Sequence, residues 1–122
     1  MFPYEFYKIM HLTGLIMIFS GLVGLLTLKM AGAAVEGKVK SLVFISHGVG
    51  LALALVGGFG LMARLGLVRE MPNWIYVKIA IWLILGGAIA AVKRKGELGS
   101  KLFLALIAIF VIAAYLAVYK PF

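Results

Sequence analysis

Four side chains in this sequence could ligate or carry charge from inside long apolar stretches: Lys8, His11, His47 and Lys78. Placing an ionisable group in hydrocarbon costs about 2.5–3.5 kcal/mol on insertion scales, so each of the four calls for a reason. An imidazole can bind a metal through either ring nitrogen, pass a proton or donate a hydrogen bond. An ammonium can hold an anion or sit over an aromatic face. Lys8 and His11 are three residues apart and share one face of a helix, preceded there by Tyr4 and Tyr7 and followed by Gly14, Leu15 and Ile18. Trp74, Lys78 and Trp82 recur every four residues, one stripe with an ammonium between two indoles. No carboxylate joins either group. Glu5, Glu36, Glu70 and Glu97 fall at the ends of apolar runs or between them, and the chain has no Asp. A carboxylate proton relay cannot be built, nor an acid–base pair for hydrolysis. The absence of cysteine removes disulfides, thiolate metal sites and thiol nucleophiles.

These residues need elements to carry them, and hydropathy says which. Of the 122 residues 65% are hydrophobic and 13% charged, about half the charged fraction of a soluble domain. A core this small could not hide so much apolar surface from water, so lipid is the expected solvent. Four runs are near the roughly 20 residues that a spanning helix needs. They cover Glu5–Leu28, Ser41–Leu65, Pro72–Val92 and Lys101–Tyr119. Pro72 suits a first helical turn and Ser100 an N-cap. The connectors are short, so the reading is an all-α membrane protein, a single domain over residues 1–122. Its expected form is an antiparallel, up-down-up-down four-helix transmembrane bundle.

Lys and Arg counts set the expected sidedness. Lys29, Lys38, Lys40, Lys93, Arg94, Lys95 and Lys101 lie on one side, Arg64, Arg69 and Lys120 on the other. Both termini are therefore expected outside the cytoplasm, in what reads as a bacterial inner membrane. Tyr4, Tyr7, Trp74, Tyr76, Tyr115 and Tyr119 would form the outer aromatic belt. The net charge of +8 is split among short groups, which suits anionic headgroups and argues against nucleic acid. The N-terminal stretch lacks the basic n-region and cleavage site of a signal peptide and is expected to stay in the mature protein.

Depth then sorts the polar residues. His11 and Lys78 each lie about six residues inside the outer start of their helix, roughly 9 Å at 1.5 Å per residue. Tyr115 comes close to that level. Lys8, His11, Lys78 and Tyr115 could share one outer-half site walled by Trp74 and Trp82. The plain alternative is that both lysines snorkel to the headgroups and that His11 bonds a neighbouring helix. His47 enters from the opposite face. In a core about 30 Å thick it should differ in height from His11 by roughly 12 Å, too far for one metal to bridge them. It could ligate alone, pair across a dimer or hydrogen-bond within the bundle. Gly50, Ala54 and Gly58 make a small-residue ridge on the second helix. That ridge suits close packing inside the bundle, or a seam to a second copy or another membrane helix.

Tyr4-x3-Lys8-x2-His11, Ile45-Ser46-His47, Trp74-x3-Lys78 and Gly86-Gly87 together resemble SirB-type small membrane proteins over nearly the whole chain. The first- and third-helix pieces also resemble the wider HemJ-like and CopD-like bundles, tied to haem-linked protoporphyrinogen oxidation and to copper handling. The HemJ likeness implies a haem-associated histidine at His11 and a matching lysine at Lys78. The chain is shorter than HemJ and lacks its longer loops, so no catalytic residue is carried over. The expectation that follows is a haem or porphyrin held by His11 as the metal ligand. Lys8 and Lys78 would meet propionates, Trp74, Trp82 and Tyr115 would wall the ring, and His47 would make a more distant contribution. An accessory or assembly subunit of a membrane complex, and a small ion or proton transport component, are the alternatives from other classes.

Overall fold

The computed structural model describes residues 2–94 and 99–119, so Lys95, Glu97 and Lys120 lie outside the described residues. It contains four helices: α1 (Tyr4–Met30), α2 (Gly37–Leu65), α3 (Asn73–Arg94) and α4 (Gly99–Tyr119). No strand occurs among the described residues. Each helix is long and apolar enough to cross a membrane.

The helices overrun the apolar runs at their charged ends. The α2 helix starts at Gly37, four residues before Ser41, because Lys38-Val39-Lys40 continues the helix as a polar turn. Hydropathy is blind to such turns. Likewise α1 and α3 run on through Met30 and Arg94. Pro72 stands just ahead of α3, its carbonyl accepting from the Ile75 N–H at 3.1 Å. Ser100 lies inside the first turn of α4, one residue after Gly99, rather than at the cap. At the end of α2, Gly66 takes φ 72°. The Leu67 N–H then reaches the Met62 carbonyl at 2.9 Å, the left-handed stop that glycine permits.

Packing is dominated by α1 against α2. Residues pair in opposite order along the two helices. Tyr7 meets Gly60, His11 meets Gly57, Gly14 meets Gly50 and Ala54, and Gly21 meets Val43 and His47. The backbones are in contact along this seam. A Cβ on Gly50 would stand 2.7 Å from the Gly14 carbonyl oxygen and from the Ile18 nitrogen. In this fold Gly50 and Ala54 are therefore covered by α1. The α3 and α4 helices complete the bundle, each approaching α1, while among the described residues the backbones of α2 and α4 stay farther apart. Phe19 and Phe110 join α1 to α4 edge-to-face, with ring centroids 5.0 Å apart.

Two apolar clusters result. The larger takes Ile18, Leu22, Leu25 and Leu26 of α1 with Val43, Leu85, Val92 and Leu106. The smaller, toward the end carrying Tyr4 and Tyr119, joins Met62, Trp74, Ile75 and Leu116. Between them lies the candidate site.

Candidate functional site

A cavity of about 620 Å³ opens between the two clusters, lined by residues of all four helices. That volume falls within the range of about 300–1,000 Å³ typical of small-molecule sites. Its wall is mostly apolar, with Tyr4, Lys8, His11, Trp74, Lys78 and Trp82 contributing polar nitrogen or oxygen atoms. Two helices distant in sequence supply this group: α1 brings Lys8 and His11, and α3 brings the Trp74–Lys78–Trp82 stripe.

His11 is the most constrained of these side chains. Its backbone sits on Gly57, where a Cβ would stand 2.6 Å from the His11 nitrogen. Its ring lies over Gly58, where a Cβ would be 3.4 Å from both Nδ1 and Cε1. Two adjacent glycines thus make the seat. Nδ1 is 2.7 Å from the Ala54 carbonyl oxygen. A carbonyl only accepts, so Nδ1 carries the hydrogen and donates. In the neutral ring Nε2 then keeps its lone pair. This is the arrangement by which proteins orient a metal-binding imidazole: one ring nitrogen anchored to a backbone carbonyl, the other left to ligate.

The lysines mark the polar rim. Lys8 Nζ lies 5.8 Å from the centre of the Tyr4 ring, and Lys78 Nζ lies 5.9 Å from that of Trp74. In both pairs the aromatic residue is one turn earlier in the helix, so both ammonium groups lean back toward the end that carries Tyr4. Helical side chains point N-terminally, which produces this lean. Lys8 is exposed and Lys78 half-buried. Trp82 does not sandwich Lys78 as its spacing suggests. Its Nε1–H donates to the Leu51 carbonyl at 3.0 Å instead.

Tyr115 and His47 stay apart from this group. The inward face of α4 carries Phe110, Ala113 and Ala117, and Tyr115 falls on the other side of the helix. It is 51% exposed and its ring centre is 5.0 Å from that of Tyr119. The rotation of α4 was not legible in the sequence. His47 is buried and packs at Gly21, ten residues farther along α1 than His11, about 15 Å along the axis. Its Nε2–H donates to the Leu85 carbonyl at 2.9 Å. Together with Trp82 on Leu51, this makes a reciprocal exchange: α2 donates to α3 through His47, and α3 donates back through Trp82. The acceptors Leu51, Ala54 and Leu85 are apolar residues acting through their carbonyls. No residue-type signal could have flagged them.

Among the described residues no buried side-chain nitrogen or oxygen lacks a partner. Nor do three His, Asp or Glu side chains gather there as a group able to hold a metal ion. Compared with protein-family models, curated proteins and solved structures, the chain matches none. The site therefore has to be read from its own chemistry.

Proposed function

We propose that this chain is an integral membrane protein whose cavity binds a haem or closely related porphyrin through Nε2 of His11. The observation that carries the reading is the anchored imidazole: His11 bonded through Nδ1 to Ala54, at the wall of a largely apolar cavity with two cations at its rim. A bare divalent metal asks for about four protein ligands. A porphyrin brings four nitrogens of its own and asks for one axial imidazole. Lys8 and Lys78 suit its acidic groups, and Trp74 and Trp82 suit the flat face of the ring. When bound, the group would supply redox or ligand-binding chemistry at its iron; the chain itself contributes binding, orientation and exclusion of water. The resemblance of the first- and third-helix pieces to HemJ-type bundles points the same way.

In this reading the helices run up-down-up-down across a bacterial inner membrane, in line with the opposite-order pairing of α1 and α2. The basic connectors face the cytoplasm and both termini lie outside, following the Lys/Arg excess. A periplasm-active reporter fused after Phe122 should be active; activity of a cytoplasmic reporter there would reverse the orientation.

The decisive experiment is an absorption spectrum. Purified protein, alone or titrated with haemin, should show a Soret band that His11→Ala abolishes and that His47→Ala weakens less. A preparation that ignores haemin would overturn the porphyrin reading. It would favour instead an accessory subunit that packs against another membrane helix, a role for which the sparsely buried α4 leaves a broad apolar surface.

A further inference from the structure

The same cavity has side openings, and their position bears on what fills it when no porphyrin is present. One end is floored by Ile18 and Leu85 of the larger cluster, the other walled by Met62, Trp74 and Ile75 of the smaller. The α1 and α4 helices touch at Phe19 and Phe110. One to three turns nearer the Tyr4 end, Lys8 and Leu12 of α1 and Ala114 and Val118 of α4 all line the cavity. All four are also exposed, Leu12 by 48% and Val118 by 74%. A residue that lines a cavity and is also exposed sits at its mouth. This mouth therefore faces sideways, between two helices whose surroundings are the apolar faces of spanning segments. On the α4 side it is bordered by Ala113, Ala114 and Ala117, small residues that leave the gap open.

We propose that the cavity admits an acyl chain of an anionic phospholipid through the gap between α1 and α4, with the phosphate held at Lys8 and Lys78. The chain lies along the apolar wall made by Leu12, Leu15, Ile81 and Phe110. The headgroup stays at the rim, where both ammonium groups lean. Charge decides the class of lipid. Lys8 stands at the mouth and Lys78 on the cavity wall, and no acidic residue is among the described residues that line it. An empty apolar space of this size open to hydrocarbon would fill with it, since lipid tails lose nothing by entering. The inference needs only the membrane placement and stands apart from the porphyrin reading. A lipid tail and a porphyrin would compete for the same space.

The two tryptophans of the chain both line the cavity, so emission reports on its contents. Trp82→Phe leaves Trp74, which is only 8% exposed and so is shielded from lipid around the bundle. That variant is reconstituted without porphyrin into bilayers carrying brominated acyl chains, on either phosphatidylglycerol or phosphatidylcholine. Trp74 emission should fall, and further with brominated phosphatidylglycerol. Lys8→Gln with Lys78→Gln should remove the headgroup preference, and Ala114→Leu, which narrows the mouth, should reduce quenching by both lipids. Native mass spectrometry of the unsubstituted protein gives a readout free of variants: a phosphatidylglycerol adduct should outlast any phosphatidylcholine adduct. Absence of Trp74 quenching, or equal response to the two headgroups together with equal adduct survival, would overturn the proposal. Adding haemin separates the readings. Quenching that haemin does not relieve, in protein with no Soret band, would sink the porphyrin and leave the lipid.

Discussion

The α1–α2 seam and the α3–α4 half of the bundle are made from nearly the same apolar residues, yet they pack in opposite ways. Along the seam, Gly14, Gly21, Gly50 and Gly57 bring backbone against backbone, and 33% of the most apolar window of α1 is buried inside the chain. For α4 the figure is 11%. There, contact is made through large side chains such as Phe110 and Leu116, which hold the helix off and leave its far side to lipid or to a partner. In the membrane placement proposed above, the difference follows from what drives helix association there. Lipid tails are as apolar as leucine, so tight helix pairing comes from small residues that allow close van der Waals approach and from interhelical hydrogen bonds. The seam has both. Its rigidity is what seats His11, whereas the looser half leaves room for a cavity. Rigid wall and open space are two outcomes of one rule about side-chain size.

Substitutions at glycine test that contrast most sharply. Gly57→Ala should have the largest effect, because its Cβ would meet the His11 backbone at 2.6 Å and backbone cannot swing aside. The loss should reach the upper end of the range of about 1–3 kcal/mol for overpacking, or exceed it, with a lower unfolding midpoint in detergent. Equal stability of Gly57→Ala and the unsubstituted protein would mean that the seam is not close-packed. His47→Ala comes next. It strips the buried donor from the Leu85 carbonyl and leaves a hole, costing about 1–3 kcal/mol. His47→Gln should recover part of this by donating from its amide, a result that a purely space-filling role for the imidazole would not produce. Gly87→Ala is the counterpart on the looser side. Nothing lies within 4 Å of the added methyl, so stability should be unchanged or rise by up to about 1 kcal/mol. Marked destabilisation there would reveal a partner on that face. The smallest effect on folding is expected at Lys78. Lys78→Met removes a partly buried charge and should leave the unfolding midpoint level or slightly raised while weakening porphyrin retention. Lys78→Arg should restore retention only in part, since a planar guanidinium does not replace a compact ammonium. Unchanged retention in Lys78→Met would remove the lysine from the site.

Much of the architecture was legible because long apolar runs make hydropathy nearly sufficient. Four apolar runs, their lengths and the short connectors determine four helices, and a helical period of 3.6 places Lys8 beside His11 and Lys78 beside Trp74 on single faces. What escaped was the charged turn opening α2, since its helix is continued by backbone bonding and not by burial.

Only the tertiary structure decided how each helix is rotated, and the reason is physical. A helix that is apolar all round carries no moment that tells inside from outside. Rotation is set instead by where glycines let backbones touch. That contact put His11 over Gly57 and Gly58 and brought its Nδ1 to the Ala54 carbonyl. It chose, among the outcomes the sequence left open, the Leu85 carbonyl for His47, and it gave Trp82 the Leu51 carbonyl. It also turned Tyr115 out beside Tyr119, while the alanines of the same helix face the cavity. Backbone carbonyls are present at every residue of every helix. Which of them receives a side chain depends on the distance between helices, and that distance is a property of the packed pair.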